Sequence, residues 1–117
     1  MNAKQLIEKL YQSIDAKDLD YLHNILADNV RFRIGRNDAI QGIEAALAAN
    51  RGFFASIDTM QHRIDQVWSQ QGNVICHGQV NYVRLDGSEY SAPFATILKM
   101  QGEKIKDYLV YADVSAL

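Results

Sequence analysis

Halfway along the chain the spacing of apolar residues switches from helical to strand-like, and that switch limits the folds open to it. Beyond about residue 57, four alternating runs cover 60–70, 73–84, 89–100 and 104–113, separated by Gln71-Gly72, Asp86-Gly87 and Gln101-Gly102. Asp-Gly is a strong hairpin signal, and the other two pairs supply a glycine where a tight turn needs positive φ. Runs joined by such turns pair as an antiparallel meander. The segment 30–34 is expected as a fifth, edge strand, and Pro93 fits a bulge or the edge end of its strand, where a missing N–H costs little.

The first half has a 3.6-residue period. Leu6, Ile7, Leu10, Tyr11 and Ile14 form a one-sided helical stripe. Asp15 to Asp18 breaks it, and Asp18 can cap a second short helix whose buried face is Leu19, Leu22, Ile25 and Leu26. A third helix is expected over 43–57, with Ile43, Ala46, Leu47 and Phe54 as its apolar line. Asn50 falls on that line and interrupts it, and Gly52 weakens the last turns. Three helices followed by a curled sheet make an α+β domain of two layers. Its 117 residues read as a single domain, 1–117.

Composition narrows the function classes. An apolar share of 48% with 22% charged residues excludes a disordered chain, and a net charge of −2 lacks the basic footprint of a nucleic-acid or anionic-membrane binder. A lone cysteine, Cys76, forbids an internal disulfide and reads as a small buried hydrophobe. With no run of 18 apolar residues and no export-type leader, the expected location is cytoplasmic. Neither HExxH nor a Gly-rich phosphate loop nor a serine elbow occurs, so no metal site and no cofactor are expected.

Two faces of the sheet need covering. Along 89–100 one face holds Ala92, Phe94, Thr96, Leu98 and Met100, and the other Pro93, Ala95 and Ile97. Neither is wet. Helices cover only one, so a second copy of the chain is expected on the other, giving a homodimer.

The polar candidates lie on the same strands. His77, Gln79 and Asn81 share one face by period two. If that face is concave they line a pocket and His77 is its general acid or base; if convex they are the wetter side of a sheet. Strict alternation turns Asp107 away from Val110, whereas a bulge near Lys106 would turn it inward as a His77–Asp107 dyad. Tyr108 is expected to look inward and offer its hydroxyl to a ligand. His62 and His23 read as surface or boundary histidines.

The order of these elements resembles the superfamily named for nuclear transport factor two and ketosteroid isomerase, and within it the SnoaL-like, polyketide-cyclase-like group. The likeness is carried by Asp15-Ala16-Lys17-Asp18-Leu19-Asp20, Leu26-Ala27-Asp28-Asn29-Val30, Gly42-Ile43-Glu44-Ala45, the Asp86-Gly87 hairpin, Gly102-Glu103-Lys104-Ile105 and Tyr111-Ala112-Asp113. It spans about residues 5–114. It implies a cone: three N-terminal helices on a curled, mixed but mostly antiparallel sheet, with a pocket between the layers and frequent dimerisation.

The chemistry of the family carries over poorly. The ketosteroid isomerase base falls on Ile34, its oxyanion-hole tyrosine on Leu10 beside Tyr11, and its protonated acid near Ala95. The limonene epoxide hydrolase tyrosine and asparagine fall on Phe32 and Ile34, its arginine and first aspartate near His77 and Gln79, and its second aspartate on Val110. Most of these residues cannot move a proton. The resemblance therefore implies a small, largely apolar or cyclic organic ligand. Phe32, Ile34, Ala95, Ile97 and Val110 would wall its pocket, and Gln79, Asn81 and Tyr108 would add polar contacts, around cofactor-independent acid–base chemistry by His77 and Asp107. A non-catalytic ligand-binding or dimeric assembly module stays open as the alternative, and shared fold does not decide between them.

Overall fold

The computed structural model describes residues 2–117. Helix α1 (Ala3–Asp15) starts at a reciprocal cap in which the Asn2 side chain accepts from the Gln5 N–H and the Gln5 side chain accepts from the Asn2 N–H. It buries Leu6, Ile7, Leu10, Tyr11 and Ile14, the stripe read from the sequence. Asp18 caps α2 (Leu19–Ile25) by accepting from the Tyr21 N–H. Helix α3 (Ile43–Ala55) buries Ala46, Leu47, Asn50 and Phe54, so the asparagine that interrupts its apolar line does face the core.

Six strands accompany them, β1 (Leu26–Ile34) and β2 (Ile40–Gln41) between α2 and α3, then β3 (Ile57–Gln70), β4 (Asn73–Arg84), β5 (Glu89–Gln101) and β6 (Lys104–Ala112). They form one open sheet in the order β2-β1-β6-β5-β4-β3. The meander β3 to β6 pairs antiparallel through the three glycine turns, as the punctuation predicts. The segment expected as an edge strand sits inside the sheet instead. β1 pairs parallel with β6 on one side and antiparallel with the two-residue β2 on the other. Pro93 lies one residue before the β5–β6 ladder begins at Phe94, so on that side it forgoes no ladder bond.

The sheet curls at a bulge. Asp65 is an extra residue between the pairs Ile64↔Gly78 and Gln66↔His77. There the β3 backbone presses on β4 so closely that a Cβ at Gly78 would lie 1.8 Å from the Arg63 carbonyl oxygen. Glycine at 78 is thus what lets the first half of β3 fold toward α1. The two share the largest helix–sheet contact in the molecule.

The core fills the concave side. Ile7, Leu10, Leu22, Val80, Leu98 and Ile105 are wholly excluded from solvent, each worth about 1.5–3 kcal/mol of burial. The even residues of β4, Val74, Cys76, Gly78, Val80 and Tyr82, point into this core, and so do Ala92, Phe94, Thr96 and Leu98 of β5. Among the described residues no helix is long and apolar enough to cross a membrane.

Candidate functional site

Between the helices and the curled sheet lies a cavity of about 30 Å³. Five of its lining side chains are polar or amphipathic: Tyr11, Asn50, His62, Tyr82 and Tyr108; the rest include Phe32, Ile34, Phe53, Met60 and Val110.

Local sequence explains how those polar groups meet. Tyr11 and Asp15 are four residues apart on α1 and so share a face. Met60, His62 and Ile64 alternate onto the concave side of β3, opposite Tyr82, Val80 and Gly78. The curl brings the two elements together. One Asp15 carboxylate oxygen accepts from the His62 backbone N–H at 2.9 Å, and the other meets His62 Nδ1 at 2.6 Å. A carboxylate only accepts, so Nδ1 carries a hydrogen, and in the neutral tautomer that this contact selects Nε2 is the acceptor. Nε2 has no protein partner among the described residues. The imidazole side chain is 6% exposed. It lies between the Tyr11 ring at 4.4 Å and the Phe94 ring at 5.0 Å, the latter edge-on.

Asp15 ends its helix, where a negative charge opposes the macrodipole and no basic residue lies in the last turn. The helix gains nothing from a carboxylate there; His62 is its partner.

The phenols form a second polar group. Tyr11 and Thr96 share a hydrogen bond between hydroxyls in the fully buried layer beneath the cavity. Burial pushes the Tyr11 phenol well above its usual range, and the neighbouring Tyr108 and Cys76 push it further. Burial likewise raises Tyr108, against a lowering hydrogen bond from Tyr11. Tyr82 is pushed up to about 12, first by burial and then by Asp15 and Tyr90. All three stay protonated at neutral pH and present O–H donors, not phenolates. Asn50 donates to the Ala46 carbonyl at 2.8 Å, one turn back on its own helix, which leaves its amide oxygen as an acceptor at the cavity. An imidazole acceptor, an amide acceptor and neutral hydroxyl donors around one small space can bind a polar group and exchange a proton with it.

The residues expected in the pocket divide cleanly. Phe32, Ile34, Tyr108 and Val110 line the cavity. His77, Gln79, Asn81, Ala95 and Ile97 do not: the concave face of β4 and β5 is the even-numbered one, and these five point out from the convex side. The expectation that His77 looks toward the helices is corrected. Its ring stacks on Trp68 at 5.5 Å, and Trp68 is 46% exposed. Asn81 accepts from the Ser91 hydroxyl at 2.5 Å on the same outer side.

Asp107 is also outside, 3.6 Å from Arg31. The conjectured bulge at Lys106 exists: Lys99 pairs with Asp107, but Met100 pairs with Ile105. It flips Lys106 out of register and keeps Ile105, Tyr108 and Val110 on the core side, so Asp107 stays outward. The register places Asp107 opposite Lys99 and His77 opposite Ala95, which faces Tyr111. Four residues of strand, about 13 Å, therefore separate the rows holding the two groups. No His77–Asp107 dyad forms.

Asp15, His62, Tyr11 and Asn50 are the residues that sequence reasoning passed over. Their signal was present: a Tyr–Asp pair at helical spacing four, and a histidine alternating with Met60 and Ile64. No group of three potential metal ligands assembles among the described residues.

Comparison with known structures agrees with this architecture. A SnoaL-like protein described as a candidate polyketide cyclase, from Jannaschia sp. CCS1, is 18% identical and superposes with a TM-score of 0.84, over 97% of this chain and 87% of its own. An NTF2-like protein of unknown function from Burkholderia pseudomallei gives 0.87 at 15% identity, covering 99% and 94%. An epoxide hydrolase of M. tuberculosis, like limonene epoxide hydrolase, gives 0.81 at 13%, covering 97% and 84%. At these identities the likeness speaks for fold alone. No curated protein matches the sequence. The SnoaL-like domain matches residues 7–108, nearly the whole cone described above, and the chain belongs to the SnoaL-like domain family.

Proposed function

We propose that this chain binds a small organic molecule in the cone cavity and moves a proton on it without a cofactor. His62 Nε2 is the acid or base, Asp15 fixes its tautomer, and the neutral Tyr11 and Tyr108 hydroxyls support charge developing on a substrate oxygen. The observation that carries this reading is the Asp15–His62 pair. It is a shielded imidazole with one nitrogen engaged by a carboxylate and the other without a protein partner among the described residues, on a residue that lines a space shared with Tyr11, Tyr108, Phe32, Ile34 and Val110. Isomerase-, cyclase- and dehydratase-like reactions all fit that inventory. The test is a thermal-shift screen of cyclic ketones, lactones and epoxides, followed by mass spectrometry for product, on the wild type and His62→Gln. Turnover should vanish in the variant while the fold is retained. Equal turnover in both would end the assignment.

A second reading is favoured by the cavity's size. About 30 Å³ holds a water molecule, not a ring. A non-catalytic assembly module would need no ligand-sized cavity, and it predicts saturable binding of a partner with no product.

A homodimer through the convex face accompanies either reading. That face carries Trp68, Ile75 and Ile97 side by side across the sheet, with the exposed Tyr111 two residues along β6 from the partner of Ile97, an apolar strip of the kind that marks a protein interface. Sedimentation velocity should report a dimer, and Ile97→Glu a monomer; a wild-type monomer at tens of micromolar would exclude it. A reducing cytoplasm suits the single buried Cys76.

A further inference from the structure

A cavity too small for its proposed ligand has to open, and the wall that can yield is identifiable. On one side the cavity is closed by Tyr82. The Tyr82 ring is held between Phe53, edge-on at 5.9 Å, and Tyr90, stacked at 6.4 Å. Phe53 belongs to α3 and is fixed by the helix. Tyr90 stands opposite Tyr82 in the β4–β5 ladder, which fixes its backbone; its ring is held by something weaker.

Its hydroxyl donates to the Asp113 carbonyl at 2.6 Å, and the Arg84 guanidinium lies over its ring at 5.4 Å. Arg84 in turn donates twice to the Ala116 carbonyl, from Nε at 3.2 Å and Nη2 at 2.9 Å. Residues 113–117 thus run from the end of β6, past Gly35, to the end of β4. The Val114 side chain sits against Gly35. Asp113 stabilises the bend by accepting from the Ser115 N–H and hydroxyl, and Leu117 leans on the core. Because Tyr82 is buried on the concave side and Tyr90 stacks on it, the segment lies behind the cavity wall, not on the convex face.

The contrast in anchoring is large. Helices α1 and α3 bury whole apolar faces. Residues 113–117 contribute only the half-buried Val114 and Leu117, and depend on a few side-chain hydrogen bonds to exposed carbonyls. Such a segment opens at far lower free energy than a packed helix.

Building on the ligand site proposed above, we propose that residues 113–117 are a strap that locks Tyr90 behind Tyr82, and that its release from Arg84 opens the His62 cavity. The closed cavity is then the resting form, and the apparent affinity of any ring-sized ligand is the intrinsic affinity reduced by the fraction of molecules with the strap released. The strap is a positioning device; none of its residues touches the cavity.

The test uses the whole chain and cyclohexanone as the probe, with ring-nitrogen NMR of His62 to detect occupancy and hydrogen exchange of the 114–117 amides to detect release. Arg84→Ala removes both bonds to Ala116 together with its contacts to Ser88, Glu89 and the Tyr90 ring, and Leu117→Ser removes the apolar foot while leaving Arg84 intact. Each variant should exchange its strap amides faster and bind cyclohexanone about tenfold more tightly than wild type, with the His62 signals responding. Faster exchange with unchanged affinity in both variants would overturn the gate, as would absence of binding in every form. Tighter binding in the variants with no faster exchange of the cyclohexanone α-hydrogens in heavy water for any form would keep the gate and remove the catalytic assignment, so the two proposals fail separately. Should Arg84→Ala lose its fold, as judged by circular dichroism, Leu117→Ser decides alone.

Discussion

Adding one methyl group at two different glycines should move stability in opposite directions. At Gly78 the new Cβ would sit 1.8 Å from the Arg63 carbonyl oxygen, 2.9 Å from the Arg63 carbonyl carbon and 3.2 Å from the Asp65 nitrogen. Cβ atoms do not approach a neighbour within 3.0 Å, so the strands must part by about 1.2 Å at that point. Every atom in the way is backbone, so no side chain can swing aside. Ordinary overpacking costs about 1–3 kcal/mol, and an unrelieved backbone clash belongs at or above the top of that range. Gly52 is the control. It is exposed in α3, and an added Cβ meets nothing within 4 Å. Alanine there should stabilise by about 0.5–1 kcal/mol, because glycine loses more chain entropy on entering a helix.

Urea denaturation reads both. With a slope near 1.5 kcal/mol per molar for a domain this size, Gly78→Ala should lower the midpoint by about 2 M and Gly52→Ala raise it by about 0.5 M. The Gly78 variant should also disturb the Asp15–His62 hydrogen bond, because the curl at Asp65 is what delivers His62 to α1. A Gly78→Ala midpoint within about 0.3 M of wild type would refute the view that this glycine permits the curl.

Two shorter predictions follow from burial. Asp15→Ala leaves the His62 N–H and Nδ1–H without their acceptor and should cost about 2 kcal/mol, measured by thermal or chemical unfolding; a neutral result would mean water replaces the carboxylate at no cost. At high pH the folded chain holds protons that the unfolded chain releases. Burial raises the Cys76 thiol to about 11 and Tyr82 to about 12, each above its unfolded value. Their favourable contribution is therefore intact below about pH 9 and is lost as pH rises through the folded values, at roughly 1.4 kcal/mol per pH unit for each group. Denaturation midpoints should fall from pH 9 to 12, less steeply between 9 and 11 in Cys76→Ala, and a flat profile would contradict the burial of both groups.

Most of the fold could be read from residues because its elements are local. Asp18 caps one helix, a polar–glycine pair opens each hairpin, and the meander keeps partners adjacent in sequence. What could not be read depends on distant partners. β1 begins at Leu26, where Leu26-Ala27-Asp28-Asn29 looks like the end of a helix, and its parallel pairing with β6 joins residues almost 80 positions apart. β2 is two residues long, too short to show any period. The candidate site turned on strand parity. Within β4 the even residues from 74 to 82 are apolar or aromatic and the odd ones largely polar, which by itself sends His77 outward. The family positions that fall near His77 and Gln79 imply the opposite face, and a one-residue slip reverses every side chain. His62 lay on the correct face throughout but near the start of a strand, where a boundary reading came first.

Whether Asp15 and His62 are there for stability or for chemistry can be separated by replacing both. A shielded ion-paired or hydrogen-bonded couple is a poor source of stability, since removing two polar groups from water offsets most of their attraction, and packed apolar residues of similar volume do as well or better. The helix end makes the case stronger, because a carboxylate at that position works against the macrodipole. Asp15→Leu combined with His62→Leu leaves only the backbone N–H of residue 62 without its acceptor and should therefore stay within about 1 kcal/mol of wild type, while Asp15→Leu alone, which strands the imidazole N–H as well, should be less stable by about 2 kcal/mol. The coupling between the two sites, measured as a double-mutant cycle in urea, is the quantity to follow. A double variant that unfolds as readily as the single one would show that the pair is a staple holding α1 to β3. A stable double variant that no longer exchanges a proton with any ligand would leave chemistry as the reason for polar side chains at these two positions.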